Sequence, residues 1–304
     1  MIGSARRALK KFLEPKNIWS MALFVLDAPF DPATRLGTPV KVFDTKALRW
    51  TSGIPYTRAD PFMHVVGDWL YILYEVVCPG GFGQIAAYRT ADLATYEDLG
   101  VVFTNGAHLS FPLCFDHGGE TYLVPESLKS NAVSLYRFDA FPRGVEKVRD
   151  LVAGRWCDSF LLLQDDVWYL FSTIDGALHV FYSDNLLTGE FHPHPLNPVC
   201  VDKLFSRSGG RPLAIDGKTY RVAQDCSGAY GRNVNLVEIA ELSPTAYREA
   251  VAFRDIVPLD KTWNGQGSHQ IEVAFFKGKW IVMTDGQQPD YFVNRFLAPL
   301  NRLF

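Results

Sequence analysis

Taken as apolar and polar positions, residues 60–75 (Asp-Pro-Phe-Met-His-Val-Val-Gly-Asp-Trp-Leu-Tyr-Ile-Leu-Tyr-Glu) are two apolar runs broken at Val66-Gly67-Asp68. Short runs rich in branched and aromatic residues on either side of such a break predict a β-hairpin. The pattern returns four times: 111–126 around Gly118-Gly119, 158–173 around Asp165-Asp166, 211–225 around Asp216-Gly217, and 269–285 around Lys277-Gly278. The five hairpins start at 60, 111, 158, 211 and 269, at intervals of 51, 47, 53 and 58 residues.

A repeat of roughly 50 residues built from short strands has the spacing of a four-stranded propeller blade. Strand-like segments at 84–88, 133–138, 178–182 and 234–239 follow the hairpins and supply outer strands. The fold expected is all-β, a single five-bladed β-propeller over 18–290, with short helical extensions at 1–17 and 291–304. Only 19 residues follow Asp285, too few for two outer strands, so strand 19–26 is expected to complete the last blade. That would leave the ring without an open edge.

In an antiparallel hairpin the start of one strand and the end of the next share an edge. The five starts, Asp60, Phe111, Asp158, Arg211 and His269, and the five ends, Glu75, Glu126, Thr173, Asp225 and Asp285, should therefore gather at one mouth of the ring. Eight of these ten are ionisable.

Composition narrows the chemistry. With 48% apolar and 14% aromatic residues, the 304-residue chain has ample material for a core, and a net charge of −3 does not advertise a nucleic-acid partner. Five widely spaced cysteines, an odd number with no Cys-x-x-Cys pair, suit a reducing compartment and give no zinc signature. His192 and His194 lie in a Pro-rich turn and read as turn chemistry, so neither a metal nor a cofactor is expected. Cytoplasmic residence is expected. Residues 4–14 carry Arg6, Arg7, Lys10 and Lys11 beside Leu9, Phe12 and Leu13. Such a basic amphipathic helix either lies on an anionic bilayer, here the inner membrane face, or packs as a solvated cap on the propeller. Residues 291–304 are similarly mixed.

Several motifs resemble a known family. Asp60-Pro61-Phe62, His108-Leu109-Ser110-Phe111-Pro112, Pro125-Glu126-Ser127, Leu135-Tyr136-Arg137, His194-Pro195-Leu196-Asn197-Pro198, Arg211-Pro212, and Ala223-Gln224-Asp225 through Tyr230-Gly231 are similar, in order, to the N-terminal domain of plant glucosamine inositolphosphorylceramide transferase and its bacterial relatives. That domain in turn resembles the propellers of arabinanases, β-xylosidases and β-mannoside phosphorylases. The resemblance implies carbohydrate. Arabinanase-type propellers use an aspartate base on blade one, a tuning aspartate on blade three and a glutamate acid opening blade four. Asp60 and Asp158 match the first two, whereas the blade-four position is taken by Arg211.

The residues themselves support a matching chemistry. Inverting transfer at a sugar needs a carboxylate base and, across the ring, an acid or a pre-stabilised leaving group. Asp60 is the candidate base, clustering with Asp158, Glu126 and Glu75 would raise one carboxyl pKa, and Glu126 and Asp225 are candidate acids. If a phosphate leaves or attacks, Arg211, Arg207 and His269 are the groups to hold it. Glu75, His108, Trp156 and Asp285 complete the candidate binding set, Trp156 as a stacking surface. Each has a plainer reading, Asp60 as a turn residue before proline and Arg211 as the structural partner of a neighbouring carboxylate.

The function expected is glycosyl transfer in polysaccharide or glycolipid assembly, on a nucleotide-sugar or glycolipid substrate. The alternatives are a glycoside hydrolase or phosphorylase, a glycan-binding propeller that recruits a separate glycosyltransferase, and a protein-interaction scaffold.

Overall fold

The computed structural model describes residues 16–45, 57–77 and 82–290. The helices expected within 1–17 and 291–304 fall almost wholly outside these residues. What is described is all-β: five antiparallel sheets arranged as the blades of a propeller. Blade I is β3 (Arg58–Val66), β4 (Trp69–Val77), β5 (Gly83–Thr90) and β6 (Glu97–Phe103), and blade II is β7 (Ser110–His117), β8 (Glu120–Glu126), β9 (Ala132–Ala140) and β10 (Arg143–Ala153). Blade III is β11 (Cys157–Gln164), β12 (Val167–Ile174), β13 (Ala177–Ser183) and β14 (His192–Pro193). Blade IV has a divided inner strand, β15 (Arg207–Ser208) and β16 (Leu213–Ile215), then β17 (Lys218–Gln224), β18 (Val234–Leu242) and β19 (Tyr247–Phe253). Blade V joins the chain's two ends: β20 (Ile271–Phe276) and β21 (Lys279–Asp290) are followed outward by β1 (Lys16–Leu26) and β2 (Lys41–Phe43). β1 and β21 run antiparallel from Lys16↔Asp290 to Leu26↔Trp280.

The inner hairpins form where the sequence supplies residues that tolerate positive φ. Gly118-Gly119, Asp165-Asp166, Asp216-Gly217 and Lys277-Gly278 all have both φ values positive, as two-residue turns of the I′ type require. Strands such as β4 read as unbroken apolar runs because both faces are buried between blades. Leu70, Ile72 and Tyr74 pack with Met21, Leu23 and Met283 of blade V, while Tyr71 and Leu73 pack with Cys114, Leu123 and Tyr136 of blade II. Fully burying each such side chain stabilises the fold by roughly 1.5–3 kcal/mol relative to exposure.

Two features of the inner strands set up the mouth. In blades I to III the strand opens with a bulge, between Ala59 and Phe62, Ser110 and Leu113, and Cys157 and Phe160. The first residue in each bulge, Asp60 (φ 53°), Phe111 (45°) or Asp158 (46°), is left-handed. A left-handed non-glycine residue costs about 1–2 kcal/mol, and a bulge re-aims its side chain. In blade IV, Gly209 and Gly210 separate β15 from β16 so that the backbone can approach blade V: a Cβ on Gly209 would lie 2.6 Å from the His269 carbonyl, and one on Gly210 2.3 Å from that of Ile271. These glycines serve an inter-blade approach, with the Ile271 amide donating to the Gly209 carbonyl at 3.0 Å.

Candidate active site

Each latch at the mouth runs from a backbone amide of one blade to a carboxylate of the blade before it. The Asp60 amide donates to Asp285 Oδ2 at 3.2 Å, the Phe111 amide to Asp60 Oδ2 at 3.0 Å, and the Asp158 amide to Glu126 Oε2 at 2.9 Å. Asp285 also accepts the amides of His269 (2.9 Å) and Gln270 (3.1 Å). Asp60, Glu75, Glu126, Asp158 and Asp285 are all buried. The structure thus brings together every mouth carboxylate named from the sequence except Asp225.

Cations and amides fill the spaces between. Arg207 Nε donates to Asp158 Oδ2, which also accepts Gln224 Nε2 at 3.1 Å. His269 lies between Asp285 Oδ2, 2.5 Å from Nδ1, and Asp60 Oδ1, 3.7 Å from Nε2. The shorter approach is close enough for an ion pair but not aligned as a hydrogen bond. Trp19 stacks on the imidazole, with centroids 4.0 Å apart and planes 17° from parallel. His108 Nδ1 accepts the Gly83 amide at 2.9 Å, which leaves Nε2 to face Glu75 Oε1 at 3.1 Å. That bond fixes the tautomer with the proton on Nε2.

Burial and crowding move the protons. Burial pushes the Asp60 carboxyl up to about 8; the positive His269 opposes the shift, and Glu75, Asp158 and Asp285 add to it. Burial, with the neighbouring Asp158, holds Glu126 well above the usual carboxylate range. For His269 burial acts downward, yet the charges of Asp285, Asp60 and Asp158 outweigh it and raise the imidazole to about 9. Near neutral pH the mouth therefore holds an imidazolium beside carboxyls that keep protons, which makes it able to donate and to accept. Asp60, His269 and Asp285 also offer three ligand atoms within 4.8 Å of one another. Three backbone amides already converge on Asp285, and that donor set suits an imidazolium better than a dication.

Three sequence expectations are corrected. Arg211 does not open blade IV at the mouth. The glycine-separated inner strand puts Arg207 there, opposite Gln224, and sets Arg211 deeper in the channel. There its Nε donates to Glu272 Oε1 at 2.9 Å and its Nη2 to the Cys114 carbonyl at 2.8 Å, which makes it the structural partner of a buried carboxylate. Asp225 is spent on its own loop, accepting the Ser227 amide (2.9 Å), the Ser227 hydroxyl (2.7 Å) and Arg232 Nε (2.6 Å). Burial acts upward on its pKa, but these bonds hold it below the usual range. Trp156 packs on its own blade against His179 and Phe181, its Nε1 donating to the Ala153 carbonyl at 2.9 Å.

Gln224, Trp19 and Tyr230 were missed. Gln224 had a signal: Glu75, Glu126, Thr173, Gln224 and Asp285 are each the seventh residue after their hairpin turn. Trp19 and Tyr230 come from the closing strand and a loop, where no period marks them.

Comparison with known proteins agrees with this architecture. Among solved structures, a thermostable family-43 glycoside hydrolase superposes with a TM-score of 0.56 at 12% identity, covering 79% of this chain and 91% of that one. A family 117 glycoside hydrolase from Zobellia galactanivorans gives 0.54 at 14%, covering 90% and 91%. Identities this low speak for the fold alone. The protein called glucosamine inositolphosphorylceramide transferase 1 in Arabidopsis thaliana is 32% identical over 301 residues, covering 89% of this chain and 39% of that protein. Its namesake in Oryza sativa subsp. japonica is 34% identical over 246 residues, covering 76% and 33%. The chain therefore spans a third to two-fifths of the length of these relatives. Residues 41–287 match the family model described as glucosamine inositolphosphorylceramide transferase 1, N-terminal, and the chain belongs to that family.

Proposed function

We propose that this propeller is a carbohydrate-active enzyme that makes or breaks a bond at a sugar's anomeric carbon, by glycosyl transfer in polysaccharide or glycolipid assembly. The observation that carries the reading is Asp60. It is a buried carboxyl aimed by a left-handed bulge, fixed by the Phe111 amide, facing His269, and raised to about 8. Asp60, in the deprotonated form whose share grows as the pH rises toward 8, is the base toward the incoming hydroxyl, and Glu126, which keeps its proton, is the acid. Arg207 stands where the arabinanase pattern would place its acid on blade IV, and a guanidinium there suits a phosphate leaving group.

The relatives' name contains a phosphorylated ceramide, which supports a lipid-anchored acceptor. β1 and β21 end side by side at Lys16↔Asp290, five residues beyond Asp285 on the mouth side. The basic, apolar stretches 4–14 and 291–304 continue from that point, so bilayer contact and the site would share one face.

Incubation with nucleotide sugars and hexose phosphates, scored by release of nucleotide or phosphate, tests the proposal. Asp60→Asn should lower turnover by about 10²–10⁴-fold. Turnover unchanged in that variant would sink the assignment. A second reading, a glycan-binding propeller that recruits a separate transferase, is favoured by the match covering only 39% of the Arabidopsis protein. It predicts sugar binding without turnover.

A further inference from the structure

Tyr230 is 46% exposed, yet the loop that carries it is fastened on every side. At the base, the Asp225 amide donates to the Asn233 carbonyl at 2.8 Å and the Arg232 amide to the Asp225 carbonyl at 2.9 Å. The Asp225 carboxylate holds Ser227 and Arg232 inside the loop. Beside Tyr230, Gly231 has φ +64°, and a Cβ there would lie 2.9 Å from both His269 Cβ and Trp19 Cη2. The loop is thus pressed onto the Trp19–His269 stack with no room for a side chain between them.

The ring held there is oriented by its neighbours. The Tyr230 centroid is 5.2 Å from that of His269 and 6.0 Å from that of Trp19, with interplanar angles of 88° and 79°. The Arg207 guanidinium carbon lies 5.0 Å from the ring centroid, a cation–π distance. Arg207 is the partner of Asp158, and His269 faces Asp60. An aromatic ring left this open, this rigidly mounted and bordering both pairs has a ligand's work to do.

We infer that Tyr230 is the sugar-contact residue of the mouth. The apolar C–H face of a pyranose stacks on the exposed part of the ring, so that its hydroxyl-bearing edge meets Arg207, His269 and the carboxylates behind them. Asp225 and Arg232 act as positioning residues that hold the loop in its bound shape, so little ordering entropy is lost when the sugar arrives. This inference rests on the carbohydrate reading above and adds to it the residue that sets affinity.

The experiment measures binding of free hexosamines and hexose 1-phosphates by saturation-transfer NMR, with melting temperature as the control for folding. Tyr230→Ala should weaken binding about tenfold with an unchanged melting temperature, and Tyr230→Phe, which keeps the ring, should stay within about twofold of the parent. In turnover assays the alanine variant should raise KM and leave kcat within about threefold, unlike Asp60→Asn. Binding by Tyr230→Ala equal to the parent overturns the inference while leaving the carbohydrate reading intact. Equal loss in both variants overturns the stacking role in favour of the hydroxyl. If the unaltered protein binds none of the sugars, the carbohydrate reading falls and this inference falls with it.

Discussion

Two arginines of blade IV show how differently a buried charge can be used. Arg221 is fully buried and completely matched: Nε and Nη2 grip Glu249 at 2.5 and 2.6 Å, Nη1 donates to the Phe205 carbonyl at 2.5 Å, and the Tyr247 hydroxyl donates to the same glutamate. One positive charge meets one negative charge, and the result is a rivet between β17 and β19. Arg207 sits at the mouth, where it and His269 are set among Asp60, Glu75, Glu126, Asp158 and Asp285. The acids outnumber the cations, and the mismatch is relieved by carboxyls that hold protons. A balanced pair gives rigidity, while an unbalanced cluster gives titration within reach of neutral pH.

The largest expected effect breaks the balanced pair. Arg221→Met strands Glu249 and should cost about 3–5 kcal/mol in urea unfolding. Arg207→Met should cost clearly less, because the mouth is partly open to water and Asp158 keeps Gln224. Equal losses from the two would erase the distinction drawn here.

Gly83→Ala should have a smaller effect, about 1–3 kcal/mol. Its Cβ would lie 2.4 Å from the Leu109 carbonyl and 2.7 Å from Glu75 Oε1, so something must shift. Since the Gly83 amide also fixes His108, the variant should disturb the imidazole's NMR shifts, and an unaltered spectrum would contradict that coupling.

The pH dependence is the effect that sharpens the comparison most. Asp60, raised to about 8, and His269, raised to about 9, bind more protons folded than unfolded between their ordinary and raised values. Stability from both is therefore fully present below the ordinary values and is lost as pH rises through the raised ones. Unfolding free energy should fall from about pH 4 to pH 9, most steeply between about pH 6.5 and 8 where both groups contribute, and Asp60→Asn should flatten the part of the fall below about pH 8. A parent profile as flat as the variant's would show that the mouth holds no such protons.

Much of this was legible because the blades repeat. The hairpin turns announce themselves through Gly and Asp, and the starts of the inner strands in blades I to III follow from them, so Asp60, Asp158, Glu75 and Glu126 fall out of the pattern. Blade IV resisted because Gly209-Gly210 interrupts its inner strand, so Arg211 mimicked a strand start and Arg207 went to the mouth instead. Asp225 is one residue past the matching hairpin end, and the distance from the turn favours Gln224. Tyr230 and Trp19 reach the mouth through tertiary packing, which leaves no local trace.

The seam of blade V has a consequence for how the protein is made. β1 precedes the other four blades in the sequence and β21 follows them, so the eleven-residue ladder between the two must wait until all of those blades have been made. Until then an apolar strand offers an unpaired edge to any neighbour. Closure is a long-range pairing that comes late in assembly, which leaves the unclosed ring open to association through that edge.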